Sequence, residues 1–123
     1  MSDGRRAFGN AGERYAASRL TAQGWTIVDR NWRGSCGEID LVALDGEVLV
    51  VVEVKTRHGA ARGAAEEAVG PAKAARLLAL GEEYLAAHPE HLERYWRVDI
   101  LAITVGPDGR AERVSHIVNA VEG

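Results

Sequence analysis

The chain has 123 residues, 46% of them apolar and 27% charged, a balance that excludes a disordered or fibrous polymer and fits one globular domain over 1–123. Its longest apolar run, Val48 to Val52, falls far short of the ~20 residues that cross a bilayer, and the polar Met1 to Arg6 leads into a helical pattern rather than a signal core. No membrane partner is therefore expected, and a cytoplasmic location is. The net charge of −3 argues against coating nucleic acid by bulk attraction, although Met1 to Arg76 carries eleven basic and ten acidic residues against four and eight in Leu77 to Gly123. A cation held by N-terminal carboxylates would leave that half positive. The lone Cys36 has no partner for a disulfide and no neighbour at metal-site spacing, so it reads as a small turn residue.

Asn10, with Glu13 three residues on, can cap a first helix over Ala11 to Gln23, which Gly24 stops. Trp25 to Arg33 is rich in β-branched and aromatic residues and reads as a strand, ended by the turn cluster Gly34 to Gly37. Glu38 to Leu44 and Glu47 to Lys55 flank Asp45-Gly46, a strong hairpin signal because both residues tolerate positive φ. The segment from His58, small and without periodicity, is expected to form a mobile loop over 58–65. Pro71 opens a second helix that runs to about His88, with Leu77, Leu80, Gly81, Tyr84 and Leu85 on its apolar stripe. Arg94 to Thr104 and Glu112 to Val118 read as the last two strands, joined by Pro107-Asp108-Gly109. The order is α-β-β-β-α-β-β: an α/β fold with helices flanking a mixed sheet, a core over about 9–118, and flexible ends at 1–8 and 119–123.

Side chains alternate along a strand, so Glu53 and Lys55 share one face. An Asp45-Gly46 turn would pair Leu44 with Glu47, Asp40 with Val51 and Glu38 with Glu53, leaving Asp40 diagonal to Glu53 at roughly 7–8 Å between backbones. Carboxylates crowded at one end of a hairpin repel, and a bound cation removes that cost. Asp and Glu oxygens, with remaining positions left to water and phosphate, suit Mg²⁺ or Mn²⁺. Lys55 beside them would stabilise an attacking hydroxide or developing phosphate charge, which points to phosphodiester hydrolysis rather than to a glycosidase. The competing reading is a charged strand end that only protects a sheet edge. A register shifted by one residue would place Asp40 on the opposite face and abolish the site.

Glu13 shares a helical face with Ala16, Ala17 and Leu20, so its carboxylate either points to the sheet or completes the cap with Asn10. Glu38 either orients Lys55 or a metal-bound water, or is a surface partner of that lysine. Arg57, His58, Lys73 and Arg76 are candidate nucleic-acid contacts, each equally at home on a solvated surface. Trp25, Trp32 and Trp96 read as core or interface residues, and Asp99 as a group that meets a cation or Arg97.

Gly37-Glu38-Ile39-Asp40-Leu41 followed by Val52-Glu53-Val54-Lys55-Thr56-Arg57 resembles the YraN-like family of predicted bacterial endonucleases in the PD-(D/E)xK superfamily. Gly12-Glu13, Asn31, Lys73 to Leu77 and Tyr84-Leu85 extend the likeness over Gly9 to Ile103. The resemblance implies a restriction-endonuclease-like αβββαβ core, with Asp40, Glu53 and the Val54 carbonyl as metal ligands and Lys55 acting on the nucleophile. The domain is also similar to archaeal Holliday-junction resolvases, in which a glutamate of the first helix joins the site; Glu13 is the matching position. Ile39 departs from the proline often found before the aspartate. The implied function is a Mg²⁺- or Mn²⁺-dependent endonuclease acting on structured or branched DNA, and the likeness to junction-cutting enzymes makes a homodimer the candidate assembly. The alternative is a non-catalytic nucleic-acid or protein-binding module on the same fold.

Overall fold

The computed structural model describes residues 4–59 and 70–121, with the backbone alone for 4–9. Helix α1 spans Gly4–Ala22, strand β1 Thr26–Arg33, β2 Glu38–Asp45, β3 Val48–His58, helix α2 Pro71–Ala87, β4 Trp96–Val105 and β5 Ala111–Ile117. The strands form one sheet in the order β1-β2-β3-β4-β5. Every neighbouring pair is antiparallel except β3 and β4, which run parallel because α2 carries the chain back between them. The expected α/β class, with helices on a mixed sheet, is the class observed.

The helices cover opposite faces. Ala16, Ala17 and Leu20 of α1 pack with Trp25, Leu41, Ala43, Val50, Val52, Leu101 and Ile103. Leu77, Leu80, Tyr84 and Leu85 of α2 pack with Ile39, Val42, Leu49, Val51 and Val98 on the other side. The unbroken apolar run Leu49–Val52 suits a central strand buried on both faces, where alternation has nothing to separate. Each fully buried aliphatic side chain contributes about 1.5–3 kcal/mol.

Two glycines set how closely the helices approach. A Cβ at Gly81 would collide with the Trp96 ring, and one at Gly12 would collide with Thr56 Oγ1 of β3. Gly12 thus brings α1 onto the end of β3, immediately before Glu13. The helix stops at Gly24, whose φ of +95° suits glycine, with the Trp25 amide donating to Leu20 O at 3.0 Å.

Three expectations are corrected. Helix α1 begins at Gly4, well before Ala11, so Asn10 is inside the helix and cannot form the cap proposed with Glu13. The hairpin turn is Gly46-Glu47, not Asp45-Gly46: Asp45 pairs with Val48 and Leu41 with Val52. Gly46 takes the positive φ, and the Asp45 carboxylate is drawn to Arg97 Nη2 at 3.1 Å. That moves the register by two residues, which keeps Leu41 to Leu44 on their expected faces while changing their partners; alternation breaks at Asp40, since Ile39 packs with the α2 cluster and Leu41 with the α1 cluster. Finally, β3 extends through His58, Gly59 follows it with φ of +66°, and residues 60–65 of the loop expected over 58–65 lie outside the described residues.

Asp99, fully buried at the centre of β4, accepts from Arg97 Nε at 2.9 Å, Arg97 Nη2 at 3.2 Å and the Asn119 amide at 2.8 Å, and lies 2.8 Å from His116 Nε2. It is a satisfied structural carboxylate, and Arg97 is its partner, one of the two that the sequence left open. Trp25 is buried, and Trp32 and Trp96 pack against the α2 cluster, so all three belong to the core.

Candidate active site

The candidate site forms where β2 leaves β3. Regular pairing of these strands runs from Asp45↔Val48 to Leu41↔Val52, and continuing it one step sets Asp40 across from Glu53. There the Asp40 carboxylate itself takes the place of the ladder: Oδ2 accepts the Val54 amide at 2.8 Å. Asp40 therefore lies opposite Glu53, not diagonal to it, and Glu38 is not across from Glu53. Instead Glu38 pairs with Arg33 of β1, its carboxylate 3.6 Å from Nη2.

Burial raises the Asp40 pKa from 3.8 to about 7, aided by the negative charge of Glu53 and by Glu13, with the Val54 amide opposing. Glu13 reaches this point because Gly12 seats α1 close to the sheet. Its carboxylate acts on Asp40, whose pKa it helps to raise, and its Oε1 accepts Asn31 Nδ2 at 2.7 Å. Asn31 sits in β1 with φ of +51°, a left-handed conformation that asparagine tolerates better than most residues. Three acidic side chains from α1, β2 and β3 thus act on one another.

The positive charges arrive from the α2 side. Glu53 Oε2 is 2.7 Å from Lys73 Nζ and 3.6 Å from Lys55 Nζ, and all three side chains are largely shielded from solvent. The Lys55 pKa is lowered, first by burial and then by the neighbouring Lys73, while Glu53 pulls it back up. Lys73, a candidate nucleic-acid contact on α2, pairs with Glu53 within the acidic cluster. Arg57 shares the face of Glu53 and Lys55 by alternation along β3, His58 closes the strand, and the Arg76 side chain lies against the Gly37 turn. Asn31 was missing from the residues proposed for the site, although the family likeness had included it.

On the α1 side an open pocket of about 200 Å³ is lined by Asn10, Glu13, Arg14, Arg30, Asn31 and Leu41. Neither guanidinium has an ion-pair partner among the described residues. Sequence reading missed both arginines because they lie sixteen residues apart on different elements.

The donor set suits a hard divalent cation: carboxylate oxygens from Asp40, Glu53 and Glu13, with Asp40 raised to a pKa of about 7 first by burial and then by its acidic neighbours. Among the described residues, no three acidic, histidine or cysteine groups converge closely enough to encircle one ion in this arrangement, in which lysine and asparagine engage Glu53 and Glu13.

Fold and site define an α/β domain with a cluster of acids and lysines at one sheet end. Residues 12–103 match the profile of the uncharacterised protein family UPF0102. The UPF0102 protein of Kineococcus radiotolerans is 52% identical over 111 residues, 90% of each chain. That of Anaeromyxobacter dehalogenans is 46% identical over 121 residues, 98% of this chain and 88% of the relative. That of Frankia casuarinae is 48% identical over 114 residues, 93% of this chain and 95% of the relative. This chain belongs to the UPF0102 family. Among the described residues, no helix is long and apolar enough to cross a membrane.

Proposed function

We propose that the chain is a metal-dependent endonuclease that hydrolyses phosphodiester bonds in structured or branched DNA. The observation that carries this reading is the meeting of Asp40, Glu53 and Glu13 with Lys55 and Lys73 at one shielded sheet end. Acids alone would make a cation trap and lysines alone a phosphate contact; both together suit a cation that binds with an anionic substrate.

Asp40 and Glu53 would hold Mg²⁺ or Mn²⁺, with Glu13 and the Val54 carbonyl as further oxygen donors. The ion would supply Lewis-acid stabilisation of the phosphate's developing charge and lower the pKa of a bound water. The rest falls to the chain's own groups. Lys55, with its lowered pKa, can take a proton from the attacking water or, charged, stabilise the phosphate oxygens. Asn31 fixes the Glu13 carboxylate, and the Val54 amide fixes Asp40. Arg14 and Arg30, flanking the pocket next to Glu13, suit flanking backbone phosphates. Arg57 and His58 extend the positive side beyond Lys55, and Arg76 lies one turn along α2 from Lys73. The branched-substrate part rests on the likeness to junction resolvases, as does a homodimer that cuts twice.

A second reading, a binding module without catalysis, is favoured by the absence of three converging metal donors among the described residues. The two separate when purified protein is incubated with Mg²⁺ or Mn²⁺ and labelled linear, flapped and four-way DNA. The nuclease reading expects products that vanish in Asp40→Ala and Lys55→Ala. Binding without products supports the module, and products that persist equally in both variants indicate a contaminating nuclease.

A further inference from the structure

We infer that Lys73 is a built-in competitor of the metal: its ammonium occupies Glu53 Oε2 in the metal-free protein, and a divalent cation that takes that oxygen displaces it. The inference rests on the metal-site reading above and assigns Lys73 a role different from surface phosphate contact.

Three observations carry it. Lys73 Nζ is 2.7 Å from Glu53 Oε2, much nearer than Lys55 at 3.6 Å, so it is the shorter of the two charge-assisted contacts. The Lys73 and Glu53 side chains retain only 16% and 12% of their exposure, so water neither screens the contact nor replaces it cheaply. The contact joins α2 to β3 and brings two ammonium groups, those of Lys73 and Lys55, to the same Glu53 oxygen. A divalent ion bound at Oε2 would stand close to the ammonium on the same oxygen, and the repulsion between two positive centres in a shielded site sets the two against each other.

The exchange has a thermodynamic consequence. If Lys73 holds Glu53 in about nine molecules out of ten, apparent metal affinity is about tenfold below that of the open site. Displacement also frees an ammonium group beside the place where a phosphate would lie, and it removes a positive neighbour from Lys55. Metal and anionic substrate would then reinforce one another's binding, each favouring the state in which Lys73 has left Glu53.

The test is Mn²⁺ binding, measured by calorimetry and by the paramagnetic resonance signal of the free ion, in the wild type, Lys73→Met and Lys73→Arg. Methionine keeps the length and apolar stem of the side chain and removes only the charge; thermal melts of both variants verify folding. Lys73→Met is expected to bind Mn²⁺ about tenfold more tightly, and Lys73→Arg to stay within about twofold of the wild type. A direct readout is the Lys73 ammonium resonance in nitrogen-edited NMR: it should report an immobilised group without Mg²⁺ and a mobile one at saturation. Unchanged or weaker Mn²⁺ binding in Lys73→Met, or an ammonium that stays immobilised at saturating Mg²⁺, overturns the exchange while leaving the metal site intact. A wild type that binds no Mn²⁺ overturns both.

Discussion

Replacing Asp40 by asparagine should make the metal-free protein more stable, and increasingly so as pH rises. The unfolded chain releases the Asp40 proton near pH 3.8, whereas the folded chain holds it to about pH 7. Between these values the folded state binds more protons than the unfolded one, so stability present at low pH is lost as pH rises. The slope is about 1.4 kcal/mol per pH unit, and it levels off above pH 7. From pH 5 to pH 8 the wild type should lose roughly 2–3 kcal/mol from this group alone. In a domain of this size that is about 10 °C in melting temperature. Asparagine can still accept the Val54 amide that Asp40 accepts at 2.8 Å, so the variant removes the charge and keeps the contact. The assay is a series of thermal or urea melts of both proteins from pH 5 to 8.5 in the presence of a chelator. A stability gap between them that does not widen with pH would show that Asp40 titrates normally and that the acidic cluster is not as crowded as the structure shows.

Mg²⁺ at one hundred times its dissociation constant should add about 2.7 kcal/mol to the wild type and little to Asp40→Asn or Glu53→Gln. The melting shift should grow from pH 6 to pH 8 as Asp40 yields its proton, and an equal shift in all three proteins would rule out these ligands. Asp99→Asn leaves Arg97 and His116 facing a neutral group at a fully buried position and should cost about 3–5 kcal/mol in urea unfolding; a loss below 1 kcal/mol would contradict the network's role. Arg14→Ala and Arg30→Ala should each weaken DNA binding and lower the slope of log affinity against log salt by about 1, with no dependence on base sequence; an unchanged slope would exclude them from phosphate contact.

Much of this architecture was legible because its signals are local. Pro71, the stripe from Leu77 to Leu85 and the run Val48–Val52 each specify an element within a few residues of chain, and both elements formed, β3 running on to His58. The face shared by Glu53 and Lys55 follows from alternation alone and survived a register shift of two. The turn was misread because two adjacent residues, Asp45 and Gly46, both tolerate positive φ, and only Arg97, fifty-two residues away from Asp45, draws Asp45 into the strand. Such a partner has no local signature. The same holds for Lys73 and Asn31. The spacing that places Lys73 on α2 does not say which strand residue it meets, and Asn31 gains its meaning only when α1 lies on the sheet beside Glu13. Asn10 misled in the opposite way, since a good capping residue stands inside a helix that had already begun at Gly4.

A nuclease of this design needs a divalent ion lodged between Asp40 and Glu53. Anomalous scattering from crystals soaked in Mn²⁺ near pH 8 measures this directly. The expected result is a peak within coordination distance of both carboxylates, with Lys73 turned away from Glu53. Well-ordered crystals that show Mn²⁺ elsewhere, or nowhere, with Lys73 still on Glu53, would contradict it.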